Sequence, residues 1–375
     1  MEKIRISIIG DVCPTKDYRR FWDDGTVFDS LSQIISDVNL SIVNLECPAT
    51  DCSTPIKKCG PCLKAKPQDV KLLKERGFKL ISLANNHIKD FKEQGVLDTI
   101  KFCRENELAF VGAEKNAEEA KKVVFFEIKG RKIGVIAFAE EEFNIATETE
   151  AGANLFDVYQ SPEDVEEAKK QCDFLIVLYH GGIEHHRYPS ILLQKKCRLL
   201  VRCGADVVVC QHSHCVGTYE NYNDGYILYG QGNAVYGFRE KSPSWNEGLI
   251  LNIELGDEIK IEPILLKATA QGIVICDKEQ SKKRLNQFNL ESSNLSDKAF
   301  LLEEWRKFCV KNGALNRPLF FAKSRIYIKL NRLTKNKIFR LCTPKKREMV
   351  SMNLIRCDAW REVITTLLEL DVYEK

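Results

Sequence analysis

No stretch of this chain is apolar for long enough to span a bilayer, which takes about 20 consecutive residues. The first apolar run, Ile4 to Ile9, is short and interrupted by Arg5 and Ser7, so it does not read as the hydrophobic region of a secretory signal. These two absences predict an intracellular location, cytoplasmic or peripheral to the inner face of the membrane. The 15 cysteines are then expected to be thiols rather than a disulfide framework. Repeats and low-complexity tracts are also missing. At 44% hydrophobic composition the chain is not disordered. Histidine is scarce, with six in 375 residues. Carboxylates are absent between Trp305 and Arg347, a segment with 14 basic residues in a chain whose formal charge is only +3. That segment is either a solvated helical face or a surface for phosphate, lipid head groups or an acidic polymer. No nucleic-acid-binding module is visible, so nucleic acid is not an expected partner.

Short β-branched runs alternate with amphipathic stretches. Ile4 to Ile9, Ser41 to Leu45, Lys79 to Leu83, Phe174 to Tyr179 and Asp206 to Cys210 read as strands. Phe28 to Val38, Gln68 to Arg76, Lys92 to Asn106, Pro162 to Gln171 and Ser190 to Cys203 carry apolar residues at helical spacing. Alternation of this kind predicts an α/β fold. Val123 to Ile128, Arg131 to Phe138, Tyr226 to Tyr229, Leu249 to Glu254 and Ile259 to Leu265 lack intervening helices and are expected to form hairpins or meanders. Two layered sheets with helices outside accommodate both kinds of strand. The boundaries predicted are a catalytic-type domain over 1–275 and a basic, mainly helical extension over 281–375.

The strand ends carry the chemistry. Ile6-Ser7-Ile8-Ile9-Gly10-Asp11 ends in a carboxylate, as does Ser41-Ile42-Val43-Asn44-Leu45-Glu46. Leu80 to Leu83 leads into Ala84-Asn85-Asn86-His87, Phe174 to Tyr179 into His180, and Asp206 to Cys210 into Gln211-His212-Ser213-His214. All six histidines (His87, His180, His185, His186, His212, His214) follow strands in three short segments. A lone strand histidine is usually a core residue, but the joint pattern points to metal binding. Carboxylates, an amide and imidazoles suit Mn²⁺, Fe or Zn²⁺. One or two divalent ions are expected, and a pair roughly 3.5–4 Å apart would suit phosphate ester hydrolysis.

Taken together, Gly10-Asp11-Val12, Asn44-Leu45-Glu46, Ala84-Asn85-Asn86-His87 with Asp90, His180-Gly181-Gly182-x-Glu184 with Pro189, Gly204 to Val209 with His212-x-His214, and Tyr229-Gly230-Gln231-Gly232-Asn233 resemble the blocks of the poly-γ-glutamate capsule biosynthesis (CapA-like) family. That family is related to the calcineurin-like metallophosphoesterases. The resemblance covers about residues 4 to 250 and implies a metallophosphatase-like four-layer αββα sandwich. It also implies roles: Asp11 and His214 on one metal, Asn86, His180 and His212 on another, and Glu46 between them. His87 becomes the proton donor with Asp90 orienting its ring, while Glu184 contacts substrate, acts as a base or braces His180. The activity implied is metal-dependent hydrolysis of phosphoesterase type, acting on an anionic small molecule or polymer in capsule or surface-polymer production. Two alternatives remain: an amide-bond enzyme acting on poly-γ-glutamyl or peptide substrate, and a non-catalytic capsule-assembly component. One departure matters, because the phosphoesterase pattern opens Asp-x-His and this chain has Asp11-Val12-Cys13.

Weaker signals include Cys47, Cys52, Cys59 and Cys62, whose irregular spacing leaves both a zinc site and ordinary thiols open. Lys57, Lys58, Lys64 and Lys66 in the same loop read as anion contacts or as solvated surface. His185, His186 and Arg187 read as substrate contacts or as a polar loop lip. The basic extension, with Trp305, Phe320, Phe321 and Tyr327, is a candidate for peripheral contact with a membrane or with capsule machinery.

Overall fold

A computed structural model describes residues 2–58, 60–256, 258–320, 324–335, 337–342 and 350–352, the side chains of 312–320, 325 and 340 excepted. Cys59, Phe321 and everything after Met352 lie outside the described residues, as does the side chain of Phe320. Along strand Phe174–His180, Ile176 and Leu178 enter one hydrophobic core, whereas Leu175, Val177 and Tyr179 enter another. Strands Arg131–Ala139 and Val207–Gln211 alternate in the same way, with Val135, Val207 and Val209 in the first core and Ile136, Val208 and Cys210 in the second. Successive strand side chains point to opposite faces. Both faces of this sheet are therefore covered, which is why its strands read as unbroken apolar runs.

That sheet has the order Tyr219–Tyr222, Gly225–Leu228, Val207–Gln211, Phe174–His180, Arg131–Ala139, Val124–Ile128. Its four inner strands are parallel and its two outer ones antiparallel. A second sheet runs Gly272–Ile275, Ile259–Thr269, Glu247–Leu255, Ile4–Val12, Leu40–Leu45, Leu80–Ser82, Ala109–Val111, with Asn233–Val235 also paired to Ile4–Val12. From Ile4–Val12 to Ala109–Val111 the strands are parallel. Ile8, Ile42 and Ile81 of this sheet share the first core with Val135, Ile176 and Val207 of the other, so the sheets face each other. Helices Pro67–Glu75 and Lys92–Glu105 add Val70, Leu73, Val96 and Ile100 to that core. Helices Gln160–Lys169 and Ile191–Arg202 bury Val165, Leu193 and Leu200 in the second core. The architecture is the α/β sandwich that the sequence pattern predicts.

Three local departures have physical reasons. The helix expected over Phe28 to Val38 is a 3₁₀ turn, Thr26–Leu31, followed by a short helix, Ser32–Ser36. Phe28 and Leu31 are both fully buried, and a 3₁₀ turn eclipses residues three apart so that both reach the core. The Tyr226 region is not a simple meander, because Gly225–Leu228 pairs in parallel with Val207–Gln211 and antiparallel with Tyr219–Tyr222. Tyr219–Tyr222 is a polar edge strand with little apolar signal of its own. Finally, the chain divides into compact units Met1–Leu302 and Glu303–Lys375, so the helix after the last strand belongs with the sheets. In that helix, Lys278–Ser293, Phe288 is buried and stacks on Tyr219 at 4.8 Å, and Ser292 Oγ accepts from the Tyr219 N–H at 3.0 Å. In the second unit, Ser324 caps helix Arg325–Leu333 by accepting from the Tyr327 N–H at 3.2 Å, and the Phe339 N–H donates to Asn331 Oδ1 at 2.8 Å. Among the described residues, no helix is long and apolar enough to cross a membrane.

Candidate metal centre

The site forms where the carboxyl ends of the parallel strands of both sheets meet. Asp11 follows an irregularity in the pairing with Leu40–Leu45, centred on Gly10. A Cβ at Gly10 would come within 2.7 Å of the Gly232 carbonyl oxygen, so the close approach of these backbones requires glycine. Asp11 lies in register with Asn44 on one side and Asn233 on the other. The Glu46 N–H is held by the Val12 carbonyl at 2.9 Å, which turns its side chain in beside Asp11. On the facing sheet, the alternation that buries Ile176 and Leu178 between the sheets carries His180 to the same face. Beyond Gln211 the chain turns sharply, with left-handed backbone at His212 (φ 92°) and His214 (φ 50°). Such conformations at non-glycine residues cost about 1–2 kcal/mol each and concentrate at functional sites, where the surrounding structure enforces them. Here they turn both imidazoles inward, where they are buried.

Two groups of three result: Glu46, His180 and His212, and Asp11, Glu46 and His214. Within each group, one ligand-type atom per residue lies within 4.8 Å of the others. Glu46 belongs to both, with Oε1 at 3.6 Å from His180 Nε2 and 3.7 Å from His214 Nε2. Asn86 joins them through Oδ1, 3.0 Å from His180 Nε2. Asn44 Nδ2 donates to Asp11 Oδ1 at 2.7 Å and faces His180 Nδ1 at 3.3 Å. Asn233 Oδ1 sits 2.8 Å from His214 Nδ1, fixing that ring from behind. The Tyr236 and Trp245 rings wall it in at 4.7 and 4.8 Å.

Burial dominates the electrostatics. It pushes the Asp11 carboxyl up to about 7, reinforced by Glu46 and opposed by His180. It pushes Glu46 up to about 8, against the opposing influence of His87. The same desolvation depresses His180 to about 4 and His212 to about 3, and holds His214 well below the ordinary imidazole range. Each group is driven toward its neutral form. His212 Nδ1 is buried without a hydrogen-bond partner, and the fully buried Glu46 carboxylate has the Tyr236 hydroxyl as a neighbouring donor, too little to balance a buried charge; both are costly unless something else satisfies them. Buried carboxylates and imidazoles held in their neutral form fit a divalent cation, which would return the carboxylates to their charged state and bind imidazole ring nitrogens through their lone pairs.

A second cluster stands beside the first. His87 Nδ1 lies 2.6 Å from Asp90 Oδ2, which also accepts from the Leu63 N–H at 2.7 Å. Of the four loop lysines, Lys57, Lys64 and Lys66 are exposed, whereas the Lys58 side chain is 3% exposed, contacts the Asp90 carboxylate at Oδ1 and lies 3.1 Å from His87 Nδ1. Glu184 is at the lip, exposed, with its carboxylate 3.7 Å from His185 Nε2, and it makes no hydrogen bond to the buried ligand set. His185 is exposed, with its ring 6.3 Å from that of His214. Arg187 is not a ready substrate contact, because Glu247 and Glu291 each engage its guanidinium at 3.7 Å. Cys13 is buried, lies against Cys47 and is in neither ligand group. No cysteine of the 47–62 loop joins a metal-type group among the described residues.

The sequence pattern gave no role to Asn44, Asn233 or Glu142, and did not set Lys58 apart from the other loop lysines. Glu142 had a signal, since it follows strand Arg131–Ala139 as His180 ends strand Phe174–His180. Its Oε1 is 3.7 Å from His212 Nε2 and its Oε2 is 3.5 Å from Asn86 Nδ2.

Residues 5–237 match the family described as bacterial capsule synthesis protein PGA_cap. Over 180 residues the chain is 32% identical to the capsule biosynthesis protein CapA of Bacillus anthracis, an alignment covering 46% of this chain and 44% of that protein. Over 178 residues it is 31% identical to the PGA biosynthesis protein CapA of Bacillus subtilis (strain 168), covering 46% and 47%. The matched segment thus spans less than half the length of either relative. A hypothetical protein of solved structure from Thermus thermophilus aligns with 70% of this chain and 99% of its own at 15% identity, with a TM-score of 0.47. Since the family match takes in more than half of the chain, including every candidate ligand from Asp11 to His214, the chain belongs to the PGA_cap family of bacterial capsule synthesis proteins.

Proposed function

We propose that this protein is a metal-dependent hydrolase of phosphoesterase type that acts on an anionic substrate in capsule or surface-polymer production. The observation that carries the reading is Glu46, a fully buried carboxylate that belongs to both ligand groups and has His180 and His214 ring nitrogens on either side. Asp11, Glu46, Asn86, His180, His212 and His214 would hold the ion or ions. A divalent cation there supplies Lewis acidity toward water and toward a substrate oxygen.

The chain's own residues do the rest. Asn44 and Asn233 hold His180 and His214 in orientation from behind. His87 has Nδ1 engaged by Asp90, which leaves Nε2 to carry the proton delivered to a leaving-group oxygen. General acid catalysis of this kind contributes about 10²–10⁴-fold. Lys58 offsets the buried charge of Asp90 and fixes the carboxylate that aims the ring. Glu184 and His185 at the lip are the groups an incoming substrate meets first.

The test is turnover of phosphate monoesters and diesters by purified protein loaded with Mn²⁺, alongside release of free glutamate from a polyglutamyl chain. Phosphoester turnover, read as phosphate from monoesters or as the leaving alcohol from diesters, that is lost in His87→Ala and in His212→Ala supports the reading. Glutamate release alone replaces it with the amide-bond alternative, and neither activity in a metal-loaded chain makes it a non-catalytic component.

For the second unit we propose peripheral contact with an anionic lipid surface. Ile326, Leu330 and Leu333 are spaced to share one helical face and are 74%, 48% and 73% exposed, with exposed Lys329 and Arg332 on the same helix. The 375-residue chain should sediment with phosphatidylglycerol vesicles and not with phosphatidylcholine vesicles. Ile326→Glu combined with Leu333→Glu should abolish this, and unchanged sedimentation would refute it.

A further inference from the structure

Asparagine and histidine are the two ligand types whose orientation is ambiguous: an amide can present oxygen or nitrogen, and a neutral imidazole can present either ring nitrogen. Both types occur in the group around Glu46, as Asn86 and His212. Glu142 stands outside that group and touches both. Its Oε2 is 3.5 Å from Asn86 Nδ2, and its Oε1 is 3.7 Å from His212 Nε2, a distance a small side-chain adjustment closes to a hydrogen bond. On their far sides, Asn86 Oδ1 lies 3.0 Å from His180 Nε2, and His212 Nδ1 is buried with no hydrogen-bond partner. A carboxylate can only accept, so whatever faces it must be an N–H. That constraint turns Asn86 with its oxygen inward and selects the His212 tautomer protonated at Nε2, leaving the Nδ1 lone pair inward.

Glu142 is held for this task. It follows strand Arg131–Ala139 in a loop fastened to the Asn85–Asn86 turn. The Glu142 N–H donates to Asn144 Oδ1 at 3.0 Å, and buried Asn144 donates through Nδ2 to the carbonyls of Asn85 at 3.0 Å and Glu140 at 3.2 Å. The side chain itself is 41% exposed, so truncating it opens no core cavity.

We propose that Glu142 is a positioning residue, one carboxylate that selects the cation-accepting orientation of Asn86 and of His212 together. The inference rests on the reading that this group holds a cation, and it deepens that reading by naming what orders the ligands beforehand. Partners of this kind behind a ligand typically change metal affinity by about 10–100-fold.

The experiment has two arms. In metal-free protein labelled with ¹⁵N in its histidine rings, long-range ¹H–¹⁵N spectra at neutral pH should show His212 protonated at Nε2. In Glu142→Ala that preference should be lost, while the exposed neighbour variant Glu141→Ala keeps it. In the second arm, Co²⁺ uptake followed by its visible spectrum should weaken by about 10–100-fold in Glu142→Ala. Glu142→Gln, whose amide oxygen still accepts, should fall between wild type and Glu142→Ala. An unchanged His212 tautomer in Glu142→Ala, or an Nδ1-protonated ring in the wild type, overturns the proposal. So does equal Co²⁺ affinity in wild type and Glu142→Ala. Wild-type protein that takes up no Co²⁺ sinks the cation reading, and the metal-free tautomer arm still decides the role of Glu142.

Discussion

The two sheets make unlike contributions to one site. The sheet containing Ile4–Val12 brings carboxylates and amides: Asp11, Asn44, Glu46 and Asn86. The sheet containing Phe174–His180 brings the imidazoles of His180, His212 and His214. Burial acts on both halves and moves them in opposite directions, carboxyls up to about 7 and 8, imidazoles down to about 4 and 3. The lesson is that the protein sets two kinds of poorly solvated group against each other, with Glu46 fully buried between them. A cation would satisfy both halves at once.

The comparison breaks most completely at Glu46. Glu46→Gln removes the charge shared by both ligand groups, so elemental analysis should find divalent metal uptake lowered by more than about 100-fold, beyond the usual effect of an outer partner. His180→Ala strips only one group and should retain metal at the other. Equal losses in the two variants would show that the groups are not separable. Next in size is the neighbouring cluster. Lys58→Met leaves the Asp90 carboxylate buried without its cation and should destabilise the fold by about 3–5 kcal/mol in urea denaturation. Lys58→Arg should recover most of it, whereas a loss below about 1 kcal/mol would return Lys58 to the solvated loop.

A pH scan of metal-free protein sharpens the contrast between the halves. His180 and His212, depressed to about 4 and 3, are neutral in the folded state above pH 6.5, and their unfolded imidazoles, half protonated at pH 6.5, have lost most of their protons by about pH 7 and contribute little above it. Asp11 and Glu46 hold protons in the folded state up to about 7 and 8 but have lost them in the unfolded chain. Above about pH 7 the native state therefore binds more protons, and stability falls as pH rises from about 7 toward 8. The expected loss is on the order of 1–2 kcal/mol, at about 1.4 kcal/mol per pKa unit, read from melting curves. Saturating Mn²⁺ should flatten the slope. A stability that rises with pH across this window would mean that the carboxylates are not held as the structure places them.

How far these features could be read beforehand follows the same division. Asp11, Glu46, His180, His212 and His214 were visible because each ends or follows an apolar strand, and strand alternation alone sends His180 inward. Asn44 and Asn233 lay within family-like blocks but carried no role, since an asparagine on a buried strand looks the same whether it holds a ligand or a neighbouring backbone. Lys58 was opaque: it comes from an irregular Cys- and Pro-containing loop, and its partners are 29 and 32 positions away in the chain. The helix expected from Phe28 failed because the spacing of Phe28 and Leu31 suits a 3₁₀ turn as well as an α-helix. The reach of the first unit to Leu302 was hidden because Phe288 packs against Tyr219, in a strand the pattern had missed.

The smallest expected effect tests whether the carboxylate half is complete as it stands. The phosphoesterase pattern has histidine where this chain has Cys13, and a thiolate ligand there would make the two halves less distinct. Cys13 instead has its N–H on the Val235 carbonyl at 2.8 Å and its thiol against Cys47, whose own thiol is pushed well up by burial. Cys13→Ala should therefore leave Mn²⁺ and Co²⁺ stoichiometry unchanged. Stability should fall by about 1 kcal/mol for the small void. In the Co²⁺-loaded wild type, the visible spectrum should lack the near-ultraviolet charge-transfer band of a sulfur ligand. That band, if present in the wild type and absent from Cys13→Ala, would place a thiolate among the ligands and show that the first sheet supplies soft as well as hard donors.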